Sequence, residues 1–95
     1  MTPASKPLFP LGRLVATPGA IDALAAARQT PAEFLHRHQC GDYGVVDGDD
    51  RKANDDAVRC GERVLSAYLL TDGVKVWVIT EADRSSTAIL LPSEY

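Results

Sequence analysis

The chain predicts an α+β single domain: an N-terminal short strand and two to three helices packed on a C-terminal three-stranded antiparallel meander. Three observations carry this. Asp72-Gly73, flanked by the β-rich runs 63–70 and 74–80, is the dipeptide favoured in tight hairpins, whose left-handed backbone matches the twist of the flanking strands. The apolar period changes from three-and-four before Cys60 to two after Glu62. At 95 residues, there is material for one hydrophobic core and no second one.

Residues 1–8 read as an extended tail and 9–95 as the domain. Pro3, Pro7 and Pro10 forbid regular helix there, 1–6 should be the loosest part, and Leu8, Phe9 and Leu11 should reach the core. A short strand over 12–16 ends at Thr17-Pro18-Gly19. Thr17 can cap a first helix over 18–28, since Pro18 at the first helical position forfeits no hydrogen bond, and Ile21 and Leu24 are placed to face the core. Thr30-Pro31-Ala32-Glu33 has the spacing of a reciprocal capping box for a second helix ending near Gln39, with Phe34, Leu35 and His38 on one face and Gly41 as a left-handed stop.

The stretch 41–48 is dense in turn formers. Asp49 or Asp50 is placed to cap a third helix that runs to Cys60, with Ala53, Ala57 and Cys60 as its apolar stripe and Gly61 as its stop. In the strand after the hairpin, Val74, Val76 and Val78 share one face. Lys75, Trp77 and Ile79 share the other, leaving Lys75 wet and Trp77 at least half covered. A polar connection over 81–86 leads into a last strand, 87–91, closed by Pro92.

Ten Lys and Arg against thirteen Asp and Glu leave a net charge of −3, which gives little general attraction to polyphosphate, so direct nucleic-acid binding is not expected. No apolar run approaches the roughly eighteen residues of a membrane span, and Met1–Lys6 has no signal-peptide core; the expected location is cytoplasmic. Two cysteines are too few for a disulfide framework.

His36, His38 and Cys40 invite a metal reading, with Cys60 as a further ligand. On a helix, however, His36 and His38 point roughly 200° apart, and no Cys-x-x-Cys pair is present. The expectation is therefore no metal and no cofactor, with His36 at the surface and both cysteines as small buried groups. Cys40 with either histidine is the only sequence-adjacent nucleophile–base pair, and no Gly-x-Ser-x-Gly elbow or phosphate loop accompanies it, so no catalytic residue is assigned. The candidate binding residues fall into two groups. Asp42, Tyr43, Asp47, Asp49 and Asp50 combine carboxylates with an aromatic in a turn-rich segment. Glu81, Asp83, Arg84 and Ser85 sit just past a strand end, where a sheet holds polar groups rigidly; the competing reading is an Asp83–Arg84 loop salt bridge. Arg51-Lys52, among Asp49, Asp50, Asp55 and Asp56, reads as a solvated helix face whose charges cancel.

The segments Phe9-Pro10-Leu11-Gly12-Arg13-Leu14-Val15-Ala16-Thr17-Pro18-Gly19-Ala20, Phe34–His38, Gly41-Asp42-Tyr43-Gly44, Ile79–Ser85 and Leu90-Leu91-Pro92-Ser93-Glu94-Tyr95 resemble a family of small uncharacterised bacterial proteins found on plasmids and integrative mobile elements. The resemblance spans 9–95. It departs at Tyr43, where Trp is commoner in the family, and at Cys40, which the family does not fix. The resemblance implies a mobile-element setting, in which a protein of this kind blocks a host defence system or regulates transfer.

The function expected on this basis is that of a small non-catalytic interaction protein that binds a host or mobile-element protein, through an acidic loop and an aromatic surface that complement a basic partner. The alternative is an enzyme. The order strand–helix–helix–strand–strand–strand resembles the RelE/ParE toxins, which act on RNA or gyrase, although such toxins are basic. A homodimer through an exposed edge strand is left open.

Overall fold

The structure, a computed structural model, describes residues 7–95; the expected loose segment 1–6 lies outside the described residues. Strand β1 (Arg13–Ala16) is followed by helices α1 (Pro18–Ala27), α2 (Pro31–Gln39) and α3 (Gly48–Cys60). The chain then forms strands β2 (Val64–Leu69), β3 (Lys75–Thr80) and β4 (Ser86–Leu90), and ends in a 3₁₀ turn over Pro92–Glu94. The α+β class is as expected. The sheet is more than a meander: its order is β1-β4-β3-β2, with β1 added parallel to β4. Three helices carry the chain from β1 to the far edge, and the β2–β3–β4 meander brings it back.

The alternation along the strands puts Val64, Ser66, Tyr68, Leu70, Val76, Val78, Thr80, Thr87 and Ile89 on the face covered by helices, and all nine are buried. Against them pack Ala20 and Leu24 of α1 and Phe34 and Leu35 of α2. A second cluster forms under α3 from Phe9, Tyr43, Ala57 and Val64. Burial of each large side chain here is worth about 1.5–3 kcal/mol.

Several expected details are corrected. Ile21 is 52% exposed, because α1 is rotated so that Ala20 and Leu24, four apart, form its inner stripe. Leu8 is also half exposed, while Phe9 alone of the entry segment is buried. Thr30 makes no side-chain cap; Glu33 instead accepts from Gln29 Nε2 at 3.2 Å. Helix α3 starts two to three residues earlier than expected, with Asp47 accepting from Asp50 N at 2.8 Å. Its buried residues are Asn54 and Ala57, whereas Ala53 and Cys60 face outward, so Cys60 is not a core residue. Thr17, Gly41 and Gly61 act as expected: Thr17 Oγ1 accepts from Ala20 N, and both glycines have left-handed φ.

The two sheet edges differ. At the β2 edge, the Asn54 amide donates to Leu65 O at 2.6 Å and accepts from Leu65 N at 3.1 Å. Two residues on, Ala67 N donates to Tyr43 O and Val45 N donates to Ala67 O. A side chain and a loop thus stand in for a fifth strand. The approach is tight at Gly44, where φ is 75° and a Cβ would lie 2.0 Å from Ala67 O, which only glycine permits.

Candidate functional site

The most organised polar cluster is buried between α2 and the sheet. His38 is fully inaccessible; Nδ1 lies 2.5 Å from Ser66 Oγ and Nε2 lies 2.9 Å from Thr80 Oγ1. Thr80 Oγ1 is 2.7 Å from Thr87 Oγ1, and Thr87 donates to Leu11 O at 2.7 Å. A carbonyl can only accept, and burial keeps the imidazole neutral, so every proton in the chain has one direction. Thr87 donates to Leu11, Thr80 donates to Thr87, His38 donates from Nε2–H to Thr80, and Ser66 donates to the bare Nδ1. His38 is therefore held as the neutral Nε2–H tautomer. Burial, and secondarily the charge of Arg84, lower its pKa to about 4. The cluster resembles catalytic chemistry in composition only, since all four side chains are inaccessible and each is committed to a neighbour. It joins α2, the entry segment and three strands in one network.

The sequence carries a signal for this cluster. Ser66, Thr80 and Thr87 fall at inward positions of otherwise apolar alternations, which is the signature of a buried polar partner.

Of the first candidate group, Tyr43 does not lie at the surface. It is fully buried beside His38, with ring centroids 6.5 Å apart, and its Oη has no hydrogen-bond partner among the described residues. It anchors the loop from inside, because its flanks reach the β2 edge. Asp42 is exposed but engaged: Arg37 Nε donates to it at 2.7 Å and Gly44 N at 3.2 Å, and the guanidinium holds its carboxyl below the usual range. The same guanidinium lies 4.6 Å from the Tyr68 ring centroid, and Tyr68 Oη donates to Asp42 O at 2.6 Å. Asp47 serves as the α3 cap, while Asp49 and Asp50 project into solvent from its first turn, where the helix dipole favours negative charge.

The second group is a turn held by its own backbone. Arg84, at φ 61°, donates from Nη1 to Glu62 O at 2.6 Å and Glu81 O at 3.1 Å, and from Nη2 to Ala57 O at 3.0 Å. Its charge thus sits on carbonyls at and just past the α3 C-terminus, and this fork stands in place of the competing Asp83–Arg84 loop salt bridge. Asp83 instead accepts from Ser85 N at 2.9 Å, and hydrogen bonding from the Ser85 side chain, then from its backbone, lowers the Asp83 pKa. Glu81 meets Arg63 at 3.7 Å, and Ser85 O accepts from Arg13 N. The two candidate groups do not form one site.

On the helix-free sheet face, Trp77 is more than half covered, as the alternation implies. Tyr95 folds back over it, with centroids 5.6 Å apart in a T-shaped pair, and accepts from Arg63 Nη1 at 2.8 Å. The exposed aromatic of the molecule is thus Tyr95, which sequence reading missed because nothing local marks a residue that folds back across a sheet.

Cys40 Sγ lies 3.9 Å from His36 Nε2. Among the described residues, no group of three His, Cys, Asp or Glu side chains is placed to hold a metal ion, and no helix is long and apolar enough to cross a membrane. No protein-family model matches the chain, and neither a curated protein nor a solved structure matches it.

Proposed function

We propose that the chain is a non-catalytic interaction protein, in the mobile-element setting its resemblance implies. It engages a basic surface of a host defence or nucleic-acid-processing protein through the outer face of α3 and the loop before it. The observation that carries this reading is the rigid display of Asp49, Asp50 and Asp55. They stand exposed on a helix whose inner side is clamped by the paired Asn54–Leu65 bonds and by Arg84 on the Ala57 and Glu62 carbonyls. Such a display needs no ordering on contact. Arg51 and Lys52, exposed on the same helix, offset part of its charge, so the attraction to a basic surface rests on Asp49 and Asp50 of the first turn together with Asp42 and Asp47 of the loop before it. The aromatic contribution passes from Tyr43 to the opposite sheet face.

The reading is tested by capture from host lysate on immobilised protein at low and high salt, beside an Asp49→Lys/Asp50→Lys/Asp55→Lys variant. A specific protein retained by the wild type, released by salt and missed by the variant is the expected result. Equal retention by both proteins, or none, removes the proposal. The toxin-type alternative is tested by inducing the chain in cells: growth arrest that Arg84→Ala abolishes, with the variant still folded, would favour it over the interaction reading.

A further inference from the structure

We propose that two copies of this chain associate through their β1 strands, paired antiparallel about a two-fold axis at Val15, with Arg13 of each copy on Glu94 of the other. The starting point is the difference between the sheet edges. The β2 edge is occupied by Asn54 and the Tyr43–Val45 loop, whereas no described residue occupies the β1 edge. Arg13 N and Thr17 N donate to Ser85 O and Ile89 O on β4, each at 3.0 Å, so the odd-numbered residues turn their backbone groups inward. Leu14 and Ala16 consequently aim their N–H and C=O outward. Leu14 is 54% and Val15 47% exposed, so both faces of this edge show apolar side chains. Natural proteins normally protect such an edge.

Geometry selects the register. Outward-facing residues must exchange hydrogen bonds with one another, which allows Leu14 opposite Ala16 of the second copy, and the symmetric pair, giving four bonds around a Val15–Val15 contact. Shifting the axis by one residue in either direction brings in Gly12, at φ 66°, or Pro18, which has no N–H, and halves the bonds.

The charges agree with this register. Arg13 forms no ion pair among the described residues, and its side chain shares the helix-free sheet face with Val15 and Thr17. In the chosen pairing it stands opposite Thr17 of the second copy, at the close Cα spacing of about 4.5 Å of a non-bonded pair. That Thr17 hydroxyl donates to the Glu94 carboxylate at 2.5 Å, so the carboxylate is within reach of the guanidinium. The two-fold axis makes the contact twice and closes the assembly at two copies.

Sedimentation velocity of the full chain between roughly 1 μM and roughly 500 μM, the range in which a small interface dissociates, tests the proposal. The wild type should pass from monomer to dimer. Leu14→Pro, which removes only an outward N–H and a half-exposed side chain, should remain monomeric with an unchanged far-UV spectrum. Arg13→Glu, which faces Glu94 with a like charge, should raise the dissociation constant roughly tenfold or more. A wild type that stays monomeric throughout, or a dimer unaffected by Arg13→Glu, overturns the inference. If Leu14→Pro loses its far-UV spectrum, Arg13→Glu decides alone.

Discussion

His38 Nε2 donates to Thr80 Oγ1 at 2.9 Å across the boundary between α2 and the centre of the sheet, and both residues are fully buried. Thr80 is the relay of the chain, accepting from the imidazole and donating to Thr87. Thr80→Val keeps the shape and removes both roles, stranding a buried N–H. Urea denaturation should show a loss of about 2–4 kcal/mol with an unchanged slope. A loss below about 0.5 kcal/mol would mean that the network does not tie α2 to the sheet.

The same imidazole makes stability depend on pH. Its folded pKa of about 4 lies below the ordinary 6.5, so the unfolded chain takes up the proton first. The contribution is intact above pH 6.5, declines as pH falls from 6.5 to about 4, and is fully lost below that, by about 3 kcal/mol. Asp42, held ionised by Arg37, acts in a separate and lower window, below its ordinary 3.8. Thermal melts from pH 8 to pH 4 and the NMR titration of the His38 Cε1–H check this; a midpoint near 6.5 would contradict the neutral tautomer.

Tyr43 gives a prediction of opposite sign. Its buried Oη has no partner among the described residues, so Tyr43→Phe should be neutral or stabilising, by up to about 1 kcal/mol, in chemical denaturation. Destabilisation by more than about 1 kcal/mol would show that the hydroxyl is hydrogen-bonded in solution.

Gly44 holds the loop against the β2 edge. Gly44→Ala would place a methyl 2.0 Å from Ala67 O at a left-handed φ, so the bridge must open, at a cost of about 2–4 kcal/mol. Hydrogen exchange should then quicken at Val45 and Ala67, whose amides make that bridge. Gly61→Ala is the control: its φ is also left-handed, but a Cβ there meets nothing within 4 Å, so only the smaller conformational cost of about 1 kcal/mol is expected.

Much of the fold was legible locally. The hairpin at Asp72-Gly73, the Thr17 cap and the Gly41 and Gly61 stops are short-range backbone matters, and each lies where the dipeptide or cap chemistry places it. Helix rotation was less legible, because an alanine-rich helix such as α1 has weak apolar contrast and packing chose Ala20 over Ile21. In α3 the inner position went to Asn54, since an amide can serve the exposed backbone of β2 in a way that Ala53 cannot. The candidate residues fared similarly: the acidic positions of α3 are at the surface, while Tyr43 and Arg84 are drawn into the structure by contacts with Ala67, Glu62 and Ala57 far along the chain.

Composition and periodicity alone determined the α+β class, the order of elements and which strand residues share a face, because these follow from backbone propensity and a repeat of two or 3.6 residues. Tertiary structure alone decided that β1 lies parallel to β4, that His38 joins Ser66 and Thr80, and that one sheet edge is covered while no described residue covers the other. Those relationships join residues up to about seventy positions apart, and they arise when buried polar groups must find partners after the chain has collapsed, a requirement that no local window of sequence contains.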